Sequence, residues 1–140
     1  MYGYMGKYLV VNLSENKTEH RSSKEETVRK YIGGMGVNLK LMQDYYSPGT
    51  DEYSADNPII LGTGPLTDTL APGASKLFAT TKHPLNHCIS TGVGGMHFSR
   101  LLKRTGFDHV VITGKSDTPV YLYISDQNIE IRVEENMRTN

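Results

Sequence analysis

The sequence predicts an α+β fold dominated by antiparallel β-sheet with three short helices, and three observations carry that prediction. Several short segments are rich in β-branched and aromatic residues and end in turn residues, as strands do. Three other segments place apolar residues at helical spacing and stop at Gly or Pro. The chain has 140 residues, of which 37% are hydrophobic, enough for one core, so residues 1–134 are expected to form one domain followed by a loose tail, 135–140.

Taken in order, Lys7-Tyr8-Leu9-Val10-Val11-Asn12-Leu13 reads as a strand with Leu9, Val11 and Leu13 on one side, and Thr18–Arg21 as its return after Ser14-Glu15-Asn16-Lys17. Ser23 and Glu26 have capping-box spacing, which opens a short helix that runs to Tyr31-Ile32 and stops at Gly33-Gly34. Val37, Leu39, Leu41, Met42 and Tyr45 give a second helix one apolar face, and Ser47-Pro48-Gly49 ends it. The continuous apolar run Pro58-Ile59-Ile60-Leu61 predicts a strand buried on both faces that leads into a glycine loop. Lys76–Thr81 and His87–Thr91 form a strand pair about a Pro84 turn, and Gly92-Val93-Gly94-Gly95 then reads as a loop opening a helix over Met96–Arg104. Phe107–Ile112 is a further strand. Val120–Ile124 and Ile129–Val133 alternate cleanly and make a hairpin across Asp126-Gln127-Asn128.

Charge narrows the partners. Fifteen Lys and Arg balance fifteen Asp and Glu, so the basic footprint of nucleic-acid or anionic-membrane binders is missing. Small molecules or proteins are the expected partners. No run approaches the ~20 apolar residues of a membrane helix, and the first residues lack a leader pattern, so the expected compartment is the cytoplasm. A lone cysteine, Cys88, cannot supply the thiolates of an iron–sulfur cluster, and its apolar strand suggests a buried, inert thiol.

Fourteen glycines, above the ~7% of ordinary domains, cluster in a few places and imply close approach of backbone to something. Gly92–Gly95 before a helix would offer bare N–H groups to an anion, although His97 replaces the last glycine of a dinucleotide fingerprint and the P-loop lysine is absent. A ligand role and tight strand–helix packing both account for that run. The small-residue loop Gly64–Lys76 resembles a binding loop, and Lys76 at its end would neutralise an anion or simply open a strand. His83, His87 and His97 do not make a metal set: Pro84 keeps the first two off a common helical face and nothing nearby completes the ligands. Asp68 has no carboxylate partner in its neighbourhood, and no nucleophile elbow occurs.

The ordered series Met1-Tyr2-Gly3, Tyr8-Leu9-Val10-Val11-Asn12-Leu13-Ser14, Tyr31-Ile32-Gly33-Gly34-Met35-Gly36, Gly64-Pro65-Leu66-Thr67, Ala71-Pro72-Gly73, Gly94-Gly95 and Leu102-Lys103-Arg104-Thr105-Gly106-Phe107-Asp108, with Gly114-Lys115, resembles the N-terminal part of the aldehyde ferredoxin oxidoreductase family. The resemblance implies a sheet-rich base for a tungsten (or molybdenum) bis-pterin, in enzymes that oxidise aldehydes to carboxylates and pass electrons through a [4Fe–4S] cluster to ferredoxin. It implies that the metal is held by pterin dithiolene sulfurs. By position it aligns Lys76 with a cofactor-contacting arginine, Val93 with an asparagine and Gly95 with a pterin-contacting glycine, while Gly92 and Gly94 complete the glycine run beside the pterin phosphates. Lys76 keeps the charge but not the bidentate fork, and Val93 cannot hydrogen-bond.

Family members continue into a second pterin segment and helical domains bearing the cluster cysteines. The cluster is therefore expected outside this chain, and the chain is expected to work with the remaining domains or a subunit and to self-associate when isolated. The alternative is a non-catalytic module that binds an anion, a pterin or a protein without redox chemistry.

Overall fold

The structure is a computed structural model that describes residues 2–95, 97–125 and 128–134. Met96, the turn residues Asp126 and Gln127, and the expected tail 135–140 lie outside the described residues. The elements run β1 (Lys7–Asn12), β2 (Lys17–Ser22), α1 (Glu25–Tyr31), α2 (Met35–Tyr45), β3 (Ile59–Thr63), β4 (Lys76–His83), β5 (Cys88–Gly95), α3 (His97–Arg104), β6 (His109–Thr113), β7 (Val120–Ile124) and β8 (Ile129–Val133). This is the α+β class with three helices that the sequence predicts.

Six strands form one sheet in the order β2-β1-β6-β3-β4-β5, and β7 and β8 pair separately. Neighbours are antiparallel except β1 and β6, which run parallel with Leu9 opposite Val110 and Val11 opposite Ile112. Alternation along β1 and β6 divides the core between the two faces of the sheet. Val10 and Val111 join Ile60 under Val28 of α1 and Val37, Leu41 and Met42 of α2. Leu9, Val11 and Val110 pack on the opposite face with Leu102 of α3 and Phe107, and with partly buried Leu122, Ile124, Ile129 and Ile131 of the β7–β8 hairpin. The sheet is thus a middle layer, which is why Leu9-Val10-Val11 is apolar without a break.

Several local expectations change. The capping box does not form: the N-cap is Lys24 and not Ser23, with no side-chain cap, and the Ser23 N–H donates to the Gly6 carbonyl at 2.9 Å. Glu25 and Glu26 in the first turn and Arg29 and Lys30 in the last complement the helix dipole instead. β3 is central yet not buried on both faces, since Ile60 is fully buried while Ile59 is 46% exposed at the strand's start. Cys88 is exposed, because β5 is an edge strand.

The largest change concerns Gly92–Gly95. These residues continue β5 in register, Gly92 opposite Ala79, Val93 opposite Phe78, Gly94 opposite Leu77 and Gly95 opposite Lys76. The run is strand rather than loop. Four β4 residues, Lys76 to Ala79, supply partners along its whole length, so the ladder outlasts the weak strand preference of glycine.

Candidate functional site

One end of the sheet gathers the glycine motifs. The α1–α2 corner is tight: Ile32 has φ of 66°, unusual for a β-branched residue, and Gly34 has φ of 51°. The Gly34 N–H donates to the Thr63 carbonyl at the end of β3 (2.9 Å), and a β-carbon on Gly33 would lie 3.1 Å from Pro65. From the other side a β-carbon on Gly3 would lie 2.8 Å from the Pro65 carbonyl oxygen. Gly3, Gly33, Gly34 and Gly64-Pro65 are therefore one packed junction. Thr63 pairs with Leu77, and the next residue back, Lys76, pairs with Gly95. Two motifs separated in sequence, Tyr31–Gly36 and Gly64–Thr67, meet here, and Gly94-Gly95 lies beyond them across β4.

The five residues singled out from sequence share β4 and β5 but not one face. Directly opposed residues in an antiparallel pair project to the same side, so Lys76, Val93 and Gly95 lie on the α1–α2 face with Phe78, whereas Gly92 and Gly94 lie on the other. The Lys76 Nζ sits 3.6 Å from where a β-carbon on Gly95 would be, so the ammonium lies over bare backbone. Val93 is 60% exposed, and a β-carbon on Gly92 or Gly94 would meet nothing within 4 Å. Chemically this is an uncovered edge strand with one cation and one apolar side chain. A flat, anionic heterocycle suits such a surface: the ammonium balances charge, and bare backbone lets a ring or phosphate approach.

The loop that leads to Lys76 is fastened by α3. Asp68 accepts hydrogen bonds from Arg100 Nε at 2.9 Å and from Arg104 Nε and Nη2 at 2.7 and 3.1 Å. Those two guanidinium groups hold its carboxyl down at about 2, Arg104 contributing most. Between them in sequence, Lys103 is buried and donates to the Gly64 carbonyl at 2.6 Å while facing Asp108 Oδ1 at 3.4 Å. Burial pushes the Lys103 ammonium below its ordinary value and the Asp108 carboxylate opposes this. Asp108 Oδ2 accepts from the Gly6 N–H at 2.9 Å, and its Oδ1 is buried without a hydrogen bond.

Beneath the site lies a neutral polar knot. Asn38 of α2 donates through Nδ2 to the Ile60 and Phe78 carbonyls (3.1 and 2.9 Å) and to Thr80 Oγ1 (3.1 Å). Its Oδ1 must therefore accept, and it receives the Nδ1–H of His109 at 2.9 Å. Burial pushes the His109 imidazole down to about 3, with the Lys103 charge adding to the effect, so the ring is neutral. Gly62, between them on β3, leaves the room: a β-carbon there would lie 2.1 Å from Asn38 Oδ1 and 2.3 Å from His109 Nδ1.

The sequence-level histidines lie elsewhere. His87 Nδ1 meets Glu52 Oε1 at 2.9 Å, where Lys82 also binds at 2.7 Å. His83 Nδ1 accepts the Leu85 N–H at 3.2 Å. Among the described residues no three His, Cys, Asp or Glu side chains group as metal ligands, and no helix is long and apolar enough to cross a membrane. Sequence reasoning missed Asp68, Lys103 and Asp108 as a unit. The only linear trace was Arg100 and Arg104 four apart on α3, ordinarily a solvated face.

Comparison with known proteins converges on one description. The family model described as aldehyde ferredoxin oxidoreductase, N-terminal domain, matches residues 8–139. A tungsten-containing aldehyde ferredoxin oxidoreductase of Pyrococcus horikoshii is 39% identical over 132 residues, 94% of this chain and 22% of that protein. Its counterpart in Pyrococcus abyssi is 40% identical over the same shares. The aliphatic sulfonate oxidoreductase, WOR-like subunit, of Pyrococcus furiosus is 31% identical over 135 residues, 94% of this chain and 21% of that one. Among solved structures, the active site complex BamBC of benzoyl coenzyme A reductase in complex with 1,5-dienoyl-CoA superposes with a TM-score of 0.91 at 30% identity, over 94% of this chain and 20% of its own. The chain spans about a fifth of the length of the relatives it matches.

Proposed function

This chain belongs to the aldehyde ferredoxin oxidoreductase family, as its N-terminal domain, and on that premise we propose that it is the base on which a tungsten or molybdenum bis-pterin rests. The observation that carries the proposal is the Lys76 ammonium lying over Gly95 at the end of a glycine-bare edge strand. Lys76 holds an anionic group of the cofactor by charge, Gly95 gives it backbone contact, and Val93 on the same face packs against the ring system. Gly92 and Gly94 keep the opposite side of the strand free of side chains. Lysine in place of a forked guanidinium makes the grip a point charge without bidentate geometry.

When bound, the metal–pterin would supply the redox chemistry for oxidising aldehyde to carboxylate, with a [4Fe–4S] cluster outside this chain serving transfer to ferredoxin, in the cytoplasm. The role of this chain's residues is to bind and orient. Relatives named for aldehydes, an aliphatic sulfonate and benzoyl coenzyme A all share the domain, which supports a common cofactor-bearing role with substrate choice made by other parts of each enzyme. Exposed Leu66, Leu70, Phe98 and Leu101 fit a surface that remaining domains or a subunit cover, and they underlie the expected self-association of the isolated chain.

Elemental analysis for tungsten and molybdenum, with pterin fluorescence after oxidation, on chain purified anaerobically from its own host tests the proposal. Stoichiometric metal and pterin, lost in Lys76→Ala, are expected. Absence of both from correctly folded chain and its co-purifying partners would overturn it in favour of a non-catalytic binding module.

A further inference from the structure

The loop between β3 and β4 carries no regular structure, yet the ammonium it delivers must stand at a defined place over Gly95. Its two ends are joined within the loop: the Thr67 hydroxyl donates to the Ala74 carbonyl and the Asp68 N–H to Ser75 Oγ, both at 3.4 Å. Asp68 is thereby one hydrogen bond from the residue that precedes Lys76. Its own backbone sits at φ of 61°, inside the turn that the Thr69 N–H closes on the Leu66 carbonyl at 3.3 Å. Its side chain is held from outside the loop by Arg100 and Arg104 on both carboxylate oxygens, with Lys103 on the Gly64 carbonyl at the other end. α3 follows β5 in the chain, so one short helix holds the loop through Asp68 and Gly64.

We infer that Asp68 is a positioning residue, a pin through which α3 fixes the loop and so sets Lys76 against Gly95 for an anionic group. The inference rests on the reading of Lys76 as a cofactor contact, and it adds a residue that touches no ligand. Electrostatics and positioning predict opposite signs here. Replacing Asp68 by Asn removes a negative charge and leaves two arginines unneutralised, which by itself would tighten the binding of any anion. Weaker binding in the folded variant therefore reports lost placement.

The test titrates the full chain with inorganic pyrophosphate, following the Gly94 and Gly95 amide signals, with hydrogen exchange of the amides of 66–75 measured in parallel. Asp68→Asn is expected to weaken binding roughly fivefold and speed exchange in the loop, Asp68→Glu to recover most of both, and Lys76→Ala to weaken binding at least about tenfold. Arg104→Gln, which removes the larger of the two partners but leaves the loop sequence intact, is expected to reproduce part of the Asp68→Asn effect and serves if that variant fails to fold. Unchanged or tighter binding in Asp68→Asn or Arg104→Gln, with Lys76→Ala still weakened, would overturn the positioning role and leave the cofactor reading standing. Binding that is absent in the wild type or indifferent to Lys76→Ala would overturn the reading and the inference with it.

Discussion

Gly62 and Gly34 on one side, and Gly92 and Gly94 on the other, are glycines for opposite reasons. Around Gly62 the space is filled, with Asn38 and His109 meeting where a side chain would begin, and around Gly34 the Phe78 ring stands 2.7 Å from a would-be β-carbon. Around Gly92 and Gly94 the space is open. The first pair is bare because the protein presses on it, and any added atom displaces a packed group. The second pair is bare although no described residue within 4 Å requires it. That openness suits the proposed approach of a ligand to this strand.

That contrast can be broken by substitution. Gly62→Ala should cost about 3–5 kcal/mol, because neither the β3 backbone between two partner strands nor the buried Asn38–His109 pair can yield without leaving a polar atom unpaired; urea unfolding checks it, and a loss under about 1 kcal/mol would show the knot to be loose. Gly34→Ala should cost about 2 kcal/mol, less because the Phe78 ring can shift while the positive φ remains a penalty.

The knot beneath Gly62 should also report on pH. Because the His109 pKa is depressed to about 3 in the fold, against roughly 6.5 when unfolded, the unfolded chain binds the extra proton first. Stability should be fully present above pH 6.5 and fall as pH drops towards 3, by up to about 1.4 kcal/mol per pH unit from this group. Denaturation midpoints at pH 7, 6 and 5 in wild type and His109→Gln separate this contribution from that of the other groups; equal slopes in the two proteins would contradict it. At the small end, Gly92→Ala and Gly94→Ala should leave stability unchanged or raise it by about 0.5–1 kcal/mol, since a strand interior favours any side chain over none. The same variants should retain less metal and pterin, and full retention would remove the ligand explanation for the open pair.

How far the sequence could be read follows the same divide. Elements set by local pattern emerged with their boundaries nearly in place: β7 and β8 by strict alternation, α2 by its apolar face and Ser47-Pro48-Gly49. The glycine run was misread as a loop because its strand character comes wholly from the partner β4, which no local signal carries. Cys88 looked buried because apolar neighbours suggest burial, whereas sheet order leaves β5 at the edge. Motif resemblance singles out Lys76 and Gly95, and the β4–β5 register makes them neighbours. The clamp of Asp68 and Lys103 is not legible, since Asp68 meets Arg100 and Arg104 at separations of 32 and 36 residues and Lys103 meets Gly64 at 39, and only tertiary packing converts a basic helix face into a clamp.

The place of β6 in the sheet also bears on how the protein is made. β6 stands between β1 and β3, although it is the last of the six strands to leave the ribosome. Until residue 113 has emerged, the β1–β2 hairpin and the β3–β4–β5 meander have no strand to join them, and each exposes an edge. β6 is the keystone of synthesis as well as of structure. A nascent chain stalled before it would be two unjoined half-sheets, and a chaperone should meet it in that state, whereas a few residues more would let the sheet close in a single cooperative step.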